Sequence, residues 1–199
     1  MICAIVLAAG ESRRMGAQKL LLPFGGDTVI VRIVDQLLRS ALNEIIVVVG
    51  HQANRIAAEL SNRRVSIVTN PDYKTGMLSS VRCGLRALPP QCEAVMVTLG
   101  DQPAITSRLV DEMIRCFAAT DKKIIVPVYG GRRGHPILFS ARYRDETLTR
   151  YDGKGLRGLL HSHPDDVLEM SVTDSAVLSD MDYPEDYRRE LASLDARGS

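Results

Sequence analysis

Neither sign of charge dominates the sequence: 25 lysines and arginines stand against 24 aspartates and glutamates, a formal net charge of +1. The chain therefore lacks the global basic field that nucleic-acid binding needs, and no nucleic acid is expected among its partners. Cysteine is sparse too. Cys3, Cys83, Cys92 and Cys116 form no CxxC pair and no zinc spacing, which excludes a cysteine-built metal cluster and reads as reduced thiols in a cytoplasmic protein. The opening Met1-Ile2-Cys3 has no basic leader, and its apolar run stops at Gly10, too short for a signal peptide or a membrane span. No internal repeat, low-complexity linker or break in composition divides the chain, so residues 1–199 are expected to form a single domain, with only 196–199 loose at the end. At 45% apolar and 25% charged, the composition is that of an ordinary globular protein. A chain this long buries roughly 70% of its unfolded surface.

What is present is an alternation. Apolar, β-branched runs occur at Ile2–Ala8, Glu44–Val49, Val65–Thr69, Ala94–Leu99 and Ile124–Tyr129, with shorter ones at Pro136–Phe139 and Val167–Val172. Between them, Thr28–Ser40, Arg55–Leu60, Leu78–Leu88 and Ser107–Phe117 carry apolar residues at helical spacing. The last third is less regular, with helices expected at Ser140–Arg150, Gly155–His163 and Pro184–Leu194, the last opening on a proline suited to a first helical turn. This is the pattern of an α/β fold with a parallel sheet covered by helices on both faces. In such sheets ligands bind beyond the C-terminal ends of the strands, so the residues that follow each run matter most.

The segment "LAAGESRRMGAQKLLLP", residues 7–23, follows the first run and reads as a phosphate cradle. Gly10 and Gly16 allow tight turns and close backbone approach, while Arg13, Arg14 and Lys19 supply charge. It is not a Walker A loop, because Leu20 follows Lys19 where a magnesium-binding Ser or Thr belongs, and Glu11-Ser12 after Gly10 breaks the dinucleotide fingerprint. Asp101, directly after the fourth run, reads either as a ligand for Mg²⁺ or as a turn residue capping the helix that begins near Thr106. Between Gly130 and Leu160 seven basic residues face three acidic ones, an excess suited to an anionic small molecule. His161 and His163 read as surface residues.

The opening segment resembles the N-terminal signature of the MobA-like nucleotidyltransferases, most closely the molybdenum cofactor cytidylyltransferase branch. Further agreement lies in "NPDYKTGMLSSVRCGL" (70–85), "GDQP" (100–103), "GHPILF" (134–139), "DGKGLRGLL" (152–160) and "DMDYPEDY" (180–187), in order through nearly the whole chain. The resemblance implies a Rossmann-like three-layer α/β/α fold with a mostly parallel central sheet. It implies Mg²⁺-dependent transfer of a nucleoside monophosphate, CMP from CTP, to the terminal phosphate of molybdopterin, with release of pyrophosphate and a molybdoenzyme as recipient of the product.

Residue by residue, the resemblance makes Arg14, Lys19 and Asp101 catalytic. It lays the backbone of Leu7, Ala8, Ala9 and Gly10 against the base and sugar, adds Gly76 and Ser80 (Ser79 its competitor) to the nucleotide site, and gives the acceptor to His135 and Arg157. The metal falls to Asp101 and Asp182, with Asp180 the rival second carboxylate and one of that pair free to cap the final helix. Ala9 stands where the guanylyl-transferring branch has glycine, which favours a pyrimidine. The chain departs from the family pattern at Tyr183, where threonine is common, and at Leu156, where a small residue is usual. Two alternatives accompany this reading. One is a nucleotidyltransferase of the same fold acting on a sugar phosphate, although such enzymes show Pro-Lys where this chain has Gln18-Lys19. The other is a non-catalytic carrier of the molybdenum cofactor.

Overall fold

The computed structural model describes residues 1–198, with side chains through residue 194, so the loose end expected at 196–199 falls outside the side chains described. Ten strands run as β1 (Ile2–Ala8), β2 (Pro23–Phe24), β3 (Asp27–Thr28), β4 (Glu44–Val49), β5 (Ser66–Thr69), β6 (Ala94–Leu99), β7 (Ile124–Tyr129), β8 (Arg132–Arg133), β9 (Ile137–Ser140) and β10 (Val167–Ser171). The α-helices are α1 (Val29–Leu38), α2 (Ala53–Glu59), α3 (Met77–Ala87), α4 (Ser107–Ala118), α5 (Arg144–Thr149), α6 (Leu156–Ser162) and α7 (Pro184–Gly198).

The main sheet has the order β10-β7-β9-β6-β1-β4-β5, with β8 paired to β7. Strands β5, β4, β1 and β6 run parallel, as do β7 and β10, while β9 lies antiparallel between β6 and β7. The sheet is thus mixed and mostly parallel, flanked by helices on both faces, the Rossmann-like arrangement expected.

Alternation along β1 shows how the layers form. Ala4, Val6 and Ala8 point to one face, where they join Ile30, Ile33, Val34 and Leu37 of α1 and Val110 and Met113 of α4. Cys3 and Ile5 point to the other, with Val81 and Leu85 of α3 and Leu159 and Leu160 of α6. Each of these large aliphatic side chains contributes roughly 1.5–3 kcal/mol by leaving water. Helix α3 sits close on β1 because Gly84 lacks a side chain: a Cβ there would stand 2.5 Å from Ile5 Cγ2.

Three features depart from expectation. Residues 23–28 form a hairpin, β2 and β3, that turns on Gly25 and Gly26 at φ 63° and 90°; two consecutive left-handed residues are what a tight primed turn requires. Strand β5 is an edge strand rather than one covered on both faces, and Ile67 is exposed on it. His163 is not a free surface residue: its ring lies 4.5 Å from that of Tyr143, and its Nε2 stands 2.9 Å from Glu146. Among the described residues no helix is long and apolar enough to cross a membrane.

Candidate active site

Strands β4 and β5 extend from one side of β1 and β6 starts the other side, so the direction of strand succession reverses between β1 and β6. A crevice opens at such a point, beyond the carboxyl ends of the two strands. Here it receives the loop after β1 and the loop after β6. The loops leave side by side: Gly100 N–H donates to Leu7 O at 3.0 Å, and a Cβ on Gly100 would stand 2.9 Å from that oxygen.

The first loop is shaped by residues other than Gly10. Its left-handed positions are Ser12 (φ 54°) and Gly16 (φ 68°). Its interior pin is Gln18, a buried amide that donates to Gly10 O at 3.1 Å and accepts from Ser12 Oγ at 2.8 Å. Ser12 Oγ in turn accepts from Lys19 N–H at 3.2 Å. These bonds fix the path of residues 10–19 before any ligand arrives. Nothing in the local pattern marks Gln18 for this task, since its partners, the Gly10 carbonyl and the Ser12 hydroxyl, come within reach only in the folded loop.

Lys19 is where the elements converge. Its ammonium is ion-paired with Asp101 Oδ2 and lies 3.1 Å from Asp182 Oδ1. Burial works against the charged form, but the two carboxylates prevail and hold Lys19 above the ordinary lysine range. Arg14 Nη1 donates to the other oxygen of Asp182 at 2.9 Å, with its guanidinium carbon 5.6 Å from the centre of the Tyr183 ring. The C-terminal segment reaches this place because Met181, fully buried, anchors it between Asp180 and Asp182. Asp180 is turned to Gln102, accepting from Nε2 at 2.7 Å, and burial together with the nearby Asp101 charge raises its carboxyl above the usual range.

The structure also assigns the caps. Thr106 Oγ1 accepts from Leu109 N–H at 3.3 Å, so α4 is capped without Asp101. The N–H groups of Asp182 and Tyr183 donate to Asp186 Oδ2 at 3.1 and 2.9 Å, which leaves the Asp182 carboxylate to Lys19 and Arg14.

Above this cluster lies an open cleft of about 370 Å³ lined by Gly10, Glu11, Ser12, Arg13, Arg14, Lys19, Lys74 and Asp182. Arg13 is paired with Glu11 at 2.7 Å. Lys74, which sequence reasoning passed over, makes no ion pair among the described residues and brings a further cation to the wall. Cations around an open cleft, with carboxylates at its inner end, suit a polyphosphate and a hard divalent cation. Among the described residues no three His, Cys, Asp or Glu side chains gather as a ready-made metal cage. Two converging carboxylates are nonetheless the donor set that Mg²⁺ takes when phosphates and water complete its shell.

Two flanks adjoin the cleft. On the β4 side, Ala9 is buried, its carbonyl accepts from His51 N–H at 3.1 Å, and its methyl lies 2.9 Å from where a Cβ on Gly50 would stand. Nearby, Asn70 Nδ2 donates to Ser79 Oγ and Ser80 Oγ at 2.8 and 3.0 Å; Ser80 is buried, whereas Gly76 is exposed with φ 117°. On the opposite flank, His135 follows Gly134, and burial lowers its pKa and keeps the imidazole neutral near pH 7. The Asp101 charge raises and the Arg157 charge lowers the His135 pKa, both by less than burial does.

Residues 4–167 match the MobA-like NTP transferase domain. The chain is 30% identical over 190 residues to a molybdenum cofactor cytidylyltransferase of Escherichia coli K12, covering 94% of this chain and 93% of the relative. It is also 27% identical to nicotine blue oxidoreductase of Paenarthrobacter nicotinovorans, over 96% of each. The crystal structure of Rv0371c from Mycobacterium tuberculosis H37Rv in complex with manganese superposes with a TM-score of 0.82 at 30% identity, covering 96% of this chain and 98% of that one. With residues 4–167 matched to that domain and a relative 30% identical over 94% of its length, the chain belongs to the MobA-like NTP transferases and is a nucleotidyltransferase.

Proposed function

We propose that this cytoplasmic enzyme transfers CMP from CTP to the terminal phosphate of molybdopterin in a Mg²⁺-dependent reaction. The observation that carries the reading is the convergence of Asp101 and Asp182 on Lys19, beneath a basic cleft at the switch point of the sheet. Asp101 and Asp182 would hold the cation, which when bound would supply positive charge against the nucleotide phosphates, and the manganese complex of the related Mycobacterium protein supports a divalent ion here. Asp180, bonded to Gln102, stands behind them.

Arg14, Lys19 and the backbone of Leu7, Ala8, Ala9 and Gly10 hold the nucleotide, with Gly76 and Ser80 at the base and His135 and Arg157 at the acceptor. A phosphate oxygen of the acceptor attacks the α-phosphorus and forms a new P–O bond, while the bond to the β-phosphate breaks and its electron pair leaves with pyrophosphate. Arg14 and Lys19 stabilise the charge on that leaving group. The nucleophile is already ionised near neutral pH, so the neutral His135 need not act as a base. Catalysis then rests on positioning and electrostatics.

The test is transfer of label from α-phosphate-labelled CTP, GTP or ATP into molybdopterin, with and without molybdenum, in the presence of Mg²⁺. Transfer from CTP supports the reading. Transfer from GTP reassigns the nucleotide, and binding without transfer favours another phosphorylated acceptor or a carrier role.

Nucleotide choice is tied to Ala9, whose methyl closes the space between the ends of β1 and β4 against Gly50. Ala9→Gly is expected to improve GTP relative to CTP by about tenfold, equivalent to roughly 1.4 kcal/mol, in competition binding. An unchanged ratio removes Ala9 from nucleotide selection.

A further inference from the structure

Arg82 lies on α3, one helical turn beyond Ser79, and its guanidinium points away from the nucleotide flank toward the chain between α5 and α6. All three of its nitrogens are engaged there: Nε donates to Thr147 O at 3.1 Å, Nη2 to Arg150 O at 2.7 Å, and Nη1 to Asp152 Oδ1 at 2.7 Å. A planar fork is satisfied by acceptors spread over residues 147–152, a geometry that an ammonium cannot reproduce.

The segment also makes turns of its own: Arg150 N–H donates to Glu146 O at 2.9 Å, and Lys154 N–H and Gly155 N–H both donate to Tyr151 O at 3.0 Å. Tyr151, Gly153 and Gly155 all have positive φ, at 75°, 72° and 60°, so the chain reverses repeatedly between α5 and α6. Tyr151 is fastened separately, by its hydroxyl to Glu146 Oε1 at 2.5 Å and by its ring against Gly158, where a Cβ would meet Cδ1 at 2.5 Å. The segment leads directly into α6, whose second residue is Arg157. Lys154 and Arg157 make no ion pair among the described residues, while Arg133, Arg142 and Arg150 from the same basic stretch are paired with Glu169, Asp166 and Glu146.

We infer that Arg82 is a positioning residue for the acceptor: by clamping 147–152 to α3 it sets the approach of Lys154 and Arg157 to an anionic acceptor. The same helix carries the Asn70–Ser79–Ser80 network in the turn before Arg82, so one rigid element carries a fixed point for each substrate. This rests on the proposed reading for the identity of the acceptor, but the clamp itself does not.

The experiment compares Arg82→Lys and Arg82→Ala with wild type in three measurements: CTP affinity by calorimetry, acceptor KM and kcat with molybdopterin, and amide hydrogen exchange over 150–156. Arg82→Lys, which keeps the charge and the stem, guards against a variant that fails to fold. It is expected to leave CTP affinity within about twofold, raise acceptor KM about tenfold or more with a smaller change in kcat, and speed exchange over 150–156 about tenfold. Wild-type exchange rates with an unchanged KM overturn the clamp, as does an equal loss of CTP affinity and acceptor affinity. Where wild type transfers nothing to molybdopterin, the acceptor assignment fails; exchange that is still accelerated in the variant upholds the clamp, and exchange at the wild-type rate overturns it.

Discussion

Asp101→Asn should reduce nucleotidyl transfer by about three orders of magnitude, or about 4 kcal/mol of transition-state stabilisation, while the folded protein survives. The substitution keeps the shape of the side chain and removes its charge, so it leaves the end of β6 intact and takes away one of two carboxylates turned toward a cation. Its cost in stability is small for an electrostatic reason. Asp101, Asp180 and Asp182 crowd one lysine, and the Asp101 charge helps to hold the Asp180 carboxyl above its usual range. Asparagine loses the attraction to Lys19 but relieves that repulsion, and a melting temperature within about 2 °C of wild type is expected. Circular dichroism and steady-state rates measured on the same preparation check both halves. Near-normal turnover in a folded variant would remove Asp101 from the metal site.

The largest loss of stability should come from a methyl group. Gly134 precedes His135 at the turn into β9, its N–H donating to Pro127 O at 2.9 Å while His135 N–H donates to Val177 O at 2.9 Å. A Cβ on Gly134 would overlap the Val177 carbonyl oxygen and stand 2.8 Å from its carbon. Val177 is buried in the core and belongs to the short turn that carries Met181 and the acidic segment into place, so it has no room to retreat. Gly134→Ala is expected to cost about 3 kcal/mol and to lower the melting temperature by about 6–12 °C. Gly10→Ala is the contrast. A Cβ there meets nothing within 4 Å, and Gly10 is not among the positive-φ glycines, so stability should change by no more than about 1 kcal/mol. The harm at Gly10 should fall on nucleotide binding, because a side chain there would enter the cleft proposed to hold the phosphates. Thermal melts of the two variants with and without CTP separate the effects, and equal melting temperatures would refute the steric account of Gly134.

The strands at the middle of the sheet were legible because they are unbroken β-branched runs, and β1, β4, β6 and β7 begin and end where those runs do. Pairing was less legible than existence. The antiparallel setting of β9 between β6 and β7 depends on partners far along the chain, which no local pattern encodes. The hairpin at Gly25-Gly26 left a readable signal, two glycines between short strands, but Pro23 and Phe24 alone are too brief a run to suggest a strand. Within the site, Lys19 and Asp101 could be singled out from the loops that follow two strands. Asp182, some 80 residues beyond Asp101, came only through resemblance, and the Gln18 pin and the Arg82 clamp act largely through backbone carbonyls, which have no signature in sequence.

The central position of β1 has a consequence in time. It pairs with β4 on one edge and β6 on the other, and β6 leaves the ribosome about 90 residues later, a wait of very roughly ten seconds at ordinary synthesis rates. Throughout that wait one of the most apolar strands of the chain presents an open edge, and only the arrival of Ala94–Leu99 closes it. The same event brings Gly100 and Asp101 alongside the opening loop, so the nascent chain completes the middle of its sheet and begins to assemble the proposed phosphate site in a single step.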